Sequence, residues 1–291
     1  MKGYIMQGDC LELMRGIPNA SVDMILCDLP YGVTACMWDM IIPPNYIWKE
    51  YKRIIKPGGA IVLFAKEPLS AKMIMSNLYG YKHKWVWDKK LSGSFHLAKY
   101  MPLAITEDIL VFTSHGEKVK YNPQMRKGKM RKRGGAKKAN SAMNNTFHLQ
   151  YDVYSDEYYP TCILEYPAER KNRVHPTQKP VALCEYLIRT YSDEGDVVLD
   201  NCMGSGTVGI ACVNTNREFI GFELMHSYFE IAKARIEQAK TAKETPNKGG
   251  SHKERTNTFS FNTYPYSFDL RGYFVEYPRR DKGTQRDKNG G

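Results

Sequence analysis

Two apolar runs that lie far apart in the chain each stop on an aspartate, and this pairing limits the possible folds more than any other feature of the sequence. Val22-Asp23-Met24-Ile25-Leu26-Cys27 leads into Asp28-Leu29-Pro30-Tyr31, and Val197-Val198-Leu199 leads into Asp200-Asn201-Cys202-Met203-Gly204-Ser205-Gly206-Thr207. Short apolar runs bounded by turn residues read as strands buried on both faces, the kind found in parallel sheets. In open sheets of that kind, ligands bind outside the carboxyl ends of the strands, so two such ends side by side make one site with two halves. One half is expected to hold a cofactor and the other to perform chemistry.

The rest of the pattern agrees with an α/β chain. Lys2–Gln7 reads as a strand ending in a Gly8-Asp9 turn, which makes Asp9 a third acid at a strand end. Helical spacing follows at residues 10–14, 45–55, 68–77, 181–191, 207–214 and 228–239. Strands are expected at residues 60–65, 84–87, 108–112, 161–165 and 218–223. Lys56-Pro57-Gly58-Gly59 supplies stop signals for the second helix. Repeated alternation of strand and helix predicts a mixed, mostly parallel sheet with helices on both faces.

The alternation breaks after Thr113. From there to about Tyr159 the residues are polar, basic and without clear period, the signature of an inserted, structureless segment. Composition becomes informative at this point. The chain of 291 residues carries a net charge of +11. Residues 115–140 hold ten Lys or Arg against one Glu, and residues 241–291 hold ten against six acids, so the remaining body is slightly negative. A basic patch on a near-neutral body points to a polyanionic partner. The densest run contains Arg126, Lys127, Lys129, Arg131, Lys132 and Arg133. Asn122, Gln124, Asn144 and Asn145 flank it, and amides of this kind can pair bidentately with adenine.

Other classes are disfavoured. No apolar stretch approaches the roughly 18 residues of a membrane helix, and no leader pattern is visible at Met1-Lys2-Gly3-Tyr4, so a cytoplasmic protein is expected. The seven cysteines are scattered, with no pair at zinc-knuckle spacing, so neither a metal site nor a disulfide framework is expected. Cys10, Cys27 and Cys202 fall beside the expected site, where small buried residues are common. A weak echo of residues 145–167 in the tail, as in Asn257-Thr258-Phe259 and Glu276-Tyr277-Pro278, is as consistent with chance as with duplication.

Gly204, Gly206 and Gly209 match Gly-x-Gly-x-x-Gly, and Glu223 follows about 20 residues on at the end of the next strand, an arrangement suited to a nucleotide ribose. A nicotinamide cofactor is the obvious alternative. Against it, four residues separate the strand from the first glycine, and Asp200 would place a carboxylate where a pyrophosphate should lie. A cofactor carrying an ammonium and a sulfonium would be attracted there instead, and S-adenosylmethionine fits that description.

Taken together, these residues resemble the amino-DNA methyltransferases with an Asp-Pro-Pro-Tyr-type motif, in the permuted order where the catalytic motif precedes the cofactor motif. The likeness covers residues 2–113 and 161–239, and His175-Pro176-Thr177-Gln178-Lys179-Pro180 resembles the family's further cofactor motif. It implies a Rossmann-like methyltransferase fold. The catalytic half would be residues 1–113, a basic target-recognition insertion 114–160, the cofactor half 161–240, and a basic extension of unknown role 241–291.

The resemblance also implies a site-specific DNA adenine N6 methyltransferase of bacterial or phage origin, associated with restriction-modification. Its partner would be double-stranded DNA, whose target base is flipped out of the duplex. Asp28 and the Leu29 carbonyl would accept the two amino hydrogens, Pro30 would stiffen the turn, and Tyr31 would stack on the base. Asp9 would meet the cofactor adenine, and Glu223 its ribose. Asp200 and the Gly204 loop, with Ser205, Gly206 and Thr207, would hold its methionine part, and Lys179 would contact the methionine carboxylate. Cys10, Gln178 and Cys202 complete the expected cofactor set. Trp38 and Asp39 fall in a loop that could close over the base, although a Trp packed on the core is the more ordinary reading. The six cations of the insertion would contact phosphates.

Leu29 departs from the family's usual proline, which loosens one backbone angle but keeps the carbonyl. Cytosine N4 methylation by the same kind of site, and an inactive DNA-binding relative, are the alternatives. Cytosine C5 chemistry is disfavoured by the lack of a Pro-Cys pair. The oligomeric state is not legible, and a homodimer is compatible with the sequence.

Overall fold

The structure, a computed structural model, describes residues 3–32, 40–93, 95–133, 153–170, 173–175 and 177–244. The expected loop residues Trp38 and Asp39, the flanking Asn144 and Asn145, and the tail with its weak repeat lie outside the described residues.

An eight-stranded sheet organises the body. In chain order its strands are β1 (Gly3–Gln7), β2 (Val22–Asp28), β3 (Ile55–Ala65), β4 (Tyr81–Gly93), β5 (Ala104–Phe112), β8 (Ile163–Glu165), β9 (Val197–Asp200) and β10 (Glu218–Glu223), with β6 (Arg126–Arg133) and β7 (Val153–Tyr158) forming a separate pair. The spatial order is β1-β10-β9-β2-β3-β5-β4-β8. Only β5 runs against its neighbours; the pairs from β1 to β3 and the β4–β8 pair are parallel. The mostly parallel sheet expected from the alternation is therefore present.

Side chains on β2 alternate between the two faces, as strand geometry requires. Met24 and Leu26 join a core built with α4 (Val181–Tyr191), α5 (Thr207–Asn214) and α6 (His226–Glu244). Ile25 and Cys27 join another built with α1 (Cys10–Met14), α2 (Pro44–Ile54) and α3 (Leu69–Ser76). On α2, Ile47, Trp48, Tyr51 and Ile54 are buried, the i, i+4, i+7 stripe of a core-facing helix. The helix ends at Ile54, but Lys56-Pro57-Gly58-Gly59 is not a loop: it lies within β3, opposite a register shift between Val22 and Met24.

The insertion corrects a second expectation. Residues 114–125 are tied to the body: the Lys120 amide donates to Gly58, and the Asn122 amide to Thr190. Beyond them β6 and β7 form an antiparallel pair with a register shift between Lys127 and Arg131. One ring organises the bulge. Tyr158 packs the Arg131 guanidinium over its face at 3.7 Å and donates to the Lys129 carbonyl at 2.8 Å. A Cβ on Gly128 would come within 2.7 Å of the same ring, so the close approach needs glycine. Cation–π contact and cross-strand ion pairs hold this strand, which is why an apolar period does not reveal it.

Candidate active site

Because β1, β2, β9 and β10 are parallel neighbours, their carboxyl ends share one edge, and Asp9, Asp28, Asp200 and Glu223 line one cleft of about 500 Å³. Gly8, Leu29, Pro30, Tyr31, Ser205 and Thr207 also line it. The two expected halves are thus brought together.

At the end of β2 the Asp28 carboxylate accepts from two donors, Tyr31 Oη into Oδ1 at 2.8 Å and Lys179 Nζ into Oδ2 at 2.6 Å. Leu29, where the resembled motif has proline, places its side chain in the core at 5 % exposure, so burial anchors the turn that proline would stiffen. Burial pushes the Asp28 carboxyl above the usual carboxylate range; Glu107 adds to this and Lys179 opposes it.

Lys179, expected to contact the methionine carboxylate, lines the same cleft, and its ammonium is ion-paired there. It is buried between Asp28 and Glu107, whose Oε2 lies 3.4 Å away. The rings of Phe64, Tyr31 and Trp87 have their centres 5.1, 5.7 and 5.9 Å from the nitrogen. Burial disfavours an ammonium, yet the two carboxylates hold its pKa above the ordinary lysine value. Lys89 bridges to the other oxygen of Glu107 at 3.1 Å. Burial alone would raise Glu107, but Lys179 and Lys89 bring it below its ordinary value.

Sequence reasoning missed Glu107. The available signal was the polar Thr106-Glu107-Asp108 that precedes the apolar run of β5. Because β5 is antiparallel, its beginning meets the carboxyl ends of its neighbours, which carries Glu107 into the cleft.

In the other half, Asp200 is 3 % exposed and accepts from the Cys202 amide at 3.1 Å. Burial pushes its carboxyl up to about 7, opposed by that hydrogen bond. Glu223 accepts from the Gly204 amide at 2.9 Å and the Met225 amide at 2.8 Å, and burial raises its pKa too. The glycines divide their work. Gly204 lies beside the His175 ring in the cleft, whereas Gly206, at φ +76°, turns toward α6, where an added Cβ would meet Ala232 at 3.0 Å.

Asp9 accepts from the Leu11 amide at 2.8 Å and caps α1 from the cleft wall. Cys10, Cys202 and Gln178 line the cleft, and Gln178 accepts from the Val174 amide at 3.2 Å. Thr207 Oγ1 is buried without a hydrogen-bond partner among the described residues. His175, the first residue of the further cofactor motif, packs edge-on against Tyr228 at 4.3 Å; burial, with Lys179 and Arg173 nearby, lowers its pKa to about 4.

The set suits a cofactor with fixed positive charge. Two buried carboxylates with raised pKa values and one orphaned hydroxyl converge on the same space, where a sulfonium and an ammonium would offset the cost of burying the charges.

Of the basic run, Arg126, Lys127, Lys129 and Lys132 are exposed on β6, while Arg131 is turned onto Tyr158. Lys127 is paired with Asp156 and Glu157, both at 3.3 Å. Arg133 closes the strand opposite Val153. Asn122 is committed to the body through Ser192 and Asp193, and Gln124 donates to the Asn122 carbonyl. No group of three or more His, Cys, Asp or Glu that could hold a metal occurs among the described residues.

Comparison with known proteins follows the same outline. A family model described as DNA methylase matches residues 22–234. The type II methyltransferase M.HpaI of Haemophilus parainfluenzae is 29% identical over 241 residues, covering 79% of this chain and 72% of the relative. The DNA adenine methyltransferase YhdJ of Escherichia coli K12 is 26% identical over 255 residues, covering 81% and 83%. Among solved structures, the M1.HpyAVI–SAM complex superposes with a TM-score of 0.54 at 24% identity over 80% of this chain and 98% of that one. The cytosine-N4-specific PvuII DNA methyltransferase superposes with a TM-score of 0.59 at 15% identity over 83% and 92%.

Proposed function

The chain belongs to the DNA methylase family, and from that premise we propose that it transfers a methyl group from S-adenosylmethionine to the N6 amino group of adenine in double-stranded DNA. The observation that carries the reading is the single cleft in which the Asp28 turn of β2 and the acidic Asp200 end of β9 stand as strand neighbours.

When bound, S-adenosylmethionine supplies an electrophilic methyl group on a sulfonium. The residues of the chain do the rest. Asp200, the Gly204-Ser205 turn and Thr207 would hold the methionine part, Glu223 the ribose, and Asp9, Cys10, Gln178 and Cys202 would line the remainder of the cofactor site. Gly206 contributes from behind, by allowing the loop to pack on α6.

An adenine amino nitrogen is a weak nucleophile because its lone pair is delocalised into the ring. Asp28 and the Leu29 carbonyl, accepting its two hydrogens, favour the pyramidal nitrogen whose lone pair can attack. Pro30 fixes one backbone angle of the turn. Tyr31 would leave Asp28 to stack on the flipped base, recovering part of the few kcal/mol that flipping costs. Exposed cations of β6 would contact phosphates, which position the duplex without reading its sequence. A cytoplasmic setting in a bacterial cell goes with this reading.

Incubation with labelled S-adenosylmethionine and DNA, followed by nucleoside analysis, tests it. N6-methyladenine is the expected product. N4-methylcytosine would transfer the mechanism to the other amino base, and absence of label would leave a DNA-binding protein without activity.

A further inference from the structure

Each oxygen of Asp28 already accepts one hydrogen bond, and an incoming amino group must share or replace one of them. The two donors are unequally held. Tyr31 is a neutral, half-buried phenol on the loop that follows β2, with the Glu107 carboxylate a further 3.5 Å from its oxygen. Lys179 is 7 % exposed, and its charge is shared by two carboxylates inside an enclosure of three aromatic rings. Removing that ammonium from its place would leave the buried Asp28 carboxylate without a cation, a far larger penalty than releasing a phenol to stack elsewhere. Glu107 is fixed in turn by Lys89 from the adjoining strand β4.

Resting on the reading of Asp28 as acceptor for the target amino group, we propose that Lys179 and Glu107 are positioning residues of the methyl transfer. Glu107 anchors the Lys179 ammonium against Asp28 Oδ2, which keeps Asp28 ionised and turns Oδ1 toward the base, and the Tyr31 hydroxyl is the ligand that the base displaces.

Charge balance gives this arrangement a signature that a packing role would lack. The titratable groups facing Asp28 are Tyr31 and Cys27 from its own segment, Glu107 from β5, Lys179 from the turn before α4, Cys184 from α4, and Asp200 from β9. Lys89 stands behind Glu107. Within this group Asp28 and Glu107 carry two negative charges, which Lys179 and Lys89 match. Lys179→Met removes the ammonium and leaves two neighbouring carboxylates to compete for a proton, so Asp28 ionises at higher pH. Glu107→Gln removes the competing carboxylate and leaves Lys179 to Asp28 alone, so Asp28 ionises at lower pH. An opposite charge at this distance moves a carboxyl pKa by about 1 to 3 units.

The experiment is the pH profile of the single-turnover methylation rate, with cofactor dissociation constants and melting curves measured on the same proteins. The acid limb of the Lys179→Met profile should move up by about one pH unit or more, and that of the isosteric Glu107→Gln should move down, with cofactor affinity within about threefold of wild type. Glu107→Gln preserves volume and keeps one acceptor oxygen for a lysine, so it gives an answer even if Lys179→Met fails to fold. Acid limbs that stay in place in Glu107→Gln, or that move in the same direction in both variants, would overturn the proposal. So would loss of cofactor affinity in Lys179→Met with an unmoved profile, which returns Lys179 to the cofactor carboxylate. Failure of the underlying reading looks different: Asp28→Asn would then methylate at the wild-type rate, whatever the other two variants do.

Discussion

Binding of S-adenosylmethionine should release a proton from Asp200, and its affinity should climb with pH below neutrality. Burial pushes the Asp200 carboxyl up to about 7 from an ordinary value of 3.8. Below pH 7 the folded protein therefore carries a proton there, and a cationic ligand has to meet a neutral acid or expel that proton. Each unit by which the ligand lowers the carboxyl's pKa is worth about 1.36 kcal/mol of binding above the titration. Between pH 5.5 and 7 the gain is about 1.6 kcal/mol, or roughly 16-fold in dissociation constant, because the carboxyl is still half protonated at pH 7, provided that the bound pKa falls below the window. Glu223, also raised by burial, acts with the same sign. The ligand's own α-amino group titrates near 7.7 to 8.0 and stays charged throughout. Isothermal titration at three pH values, in buffers of different ionisation enthalpy, reads both the slope and the protons released. Asp200→Asn should flatten the slope, losing affinity at pH 7 and little at pH 5.5. A slope of zero, a slope of opposite sign, or a slope undiminished in Asp200→Asn would refute the reasoning.

Three further outcomes follow from the same geometry. Asp28→Ala should lower the methylation rate by at least about 100-fold, the usual scale for one preorganised group acting in a transition state, while cofactor affinity measured by titration stays within about threefold. Glu223→Ala should weaken cofactor binding by about 1.5 to 3 kcal/mol, the range for a charge-assisted hydrogen bond; an unchanged dissociation constant would remove Glu223 from the site. Replacing Lys129, Lys132 and Arg126 with Gln should weaken binding to cognate and scrambled duplexes alike and flatten the salt dependence by about 0.9 log unit per lost contact. Lys127→Gln should change it least, since Asp156 and Glu157 already neutralise it; an unaltered slope in the triple variant would place the DNA path off β6.

The strands carrying Asp28 and Asp200 were legible because buried parallel strands read as continuous apolar runs, and the acids that end them stand out against such runs. Glu107 was not legible, since a run such as Ile109–Phe112 carries no information on direction, and direction alone decides that its acidic beginning meets the site. The partners of Lys179 were hidden for a related reason: Asp28 lies 151 residues away in sequence, and spacing says nothing about which buried carboxylate an ammonium will meet. The β6–β7 pair escaped because its strand period is written in cations, with Tyr158 and cross-strand carboxylates doing what apolar side chains do in the main sheet. Asn122 and Gln124, named as base readers on composition, hydrogen-bond to acceptors of their own chain, which composition does not reveal.

The strand order also governs how the chain can be made. β1 and β2 are synthesised early, yet they are separated in the sheet by β10 and β9, which arrive last. Until those two strands emerge the sheet has a gap two strands wide, and the apolar run of β2 presents an unpaired edge, the kind of surface that recruits other chains. At about 5 to 20 residues per second, residues 29–196 occupy the ribosome for roughly 10 to 35 s, and the gap stays open throughout. A chain truncated at Asp196 should accordingly collect in the insoluble fraction when the full chain does not. Because the strand that fills the gap beside Asp28 is the one that ends in Asp200, completion of the sheet and assembly of the two-part site are a single event, and a nascent chain can acquire neither without the other.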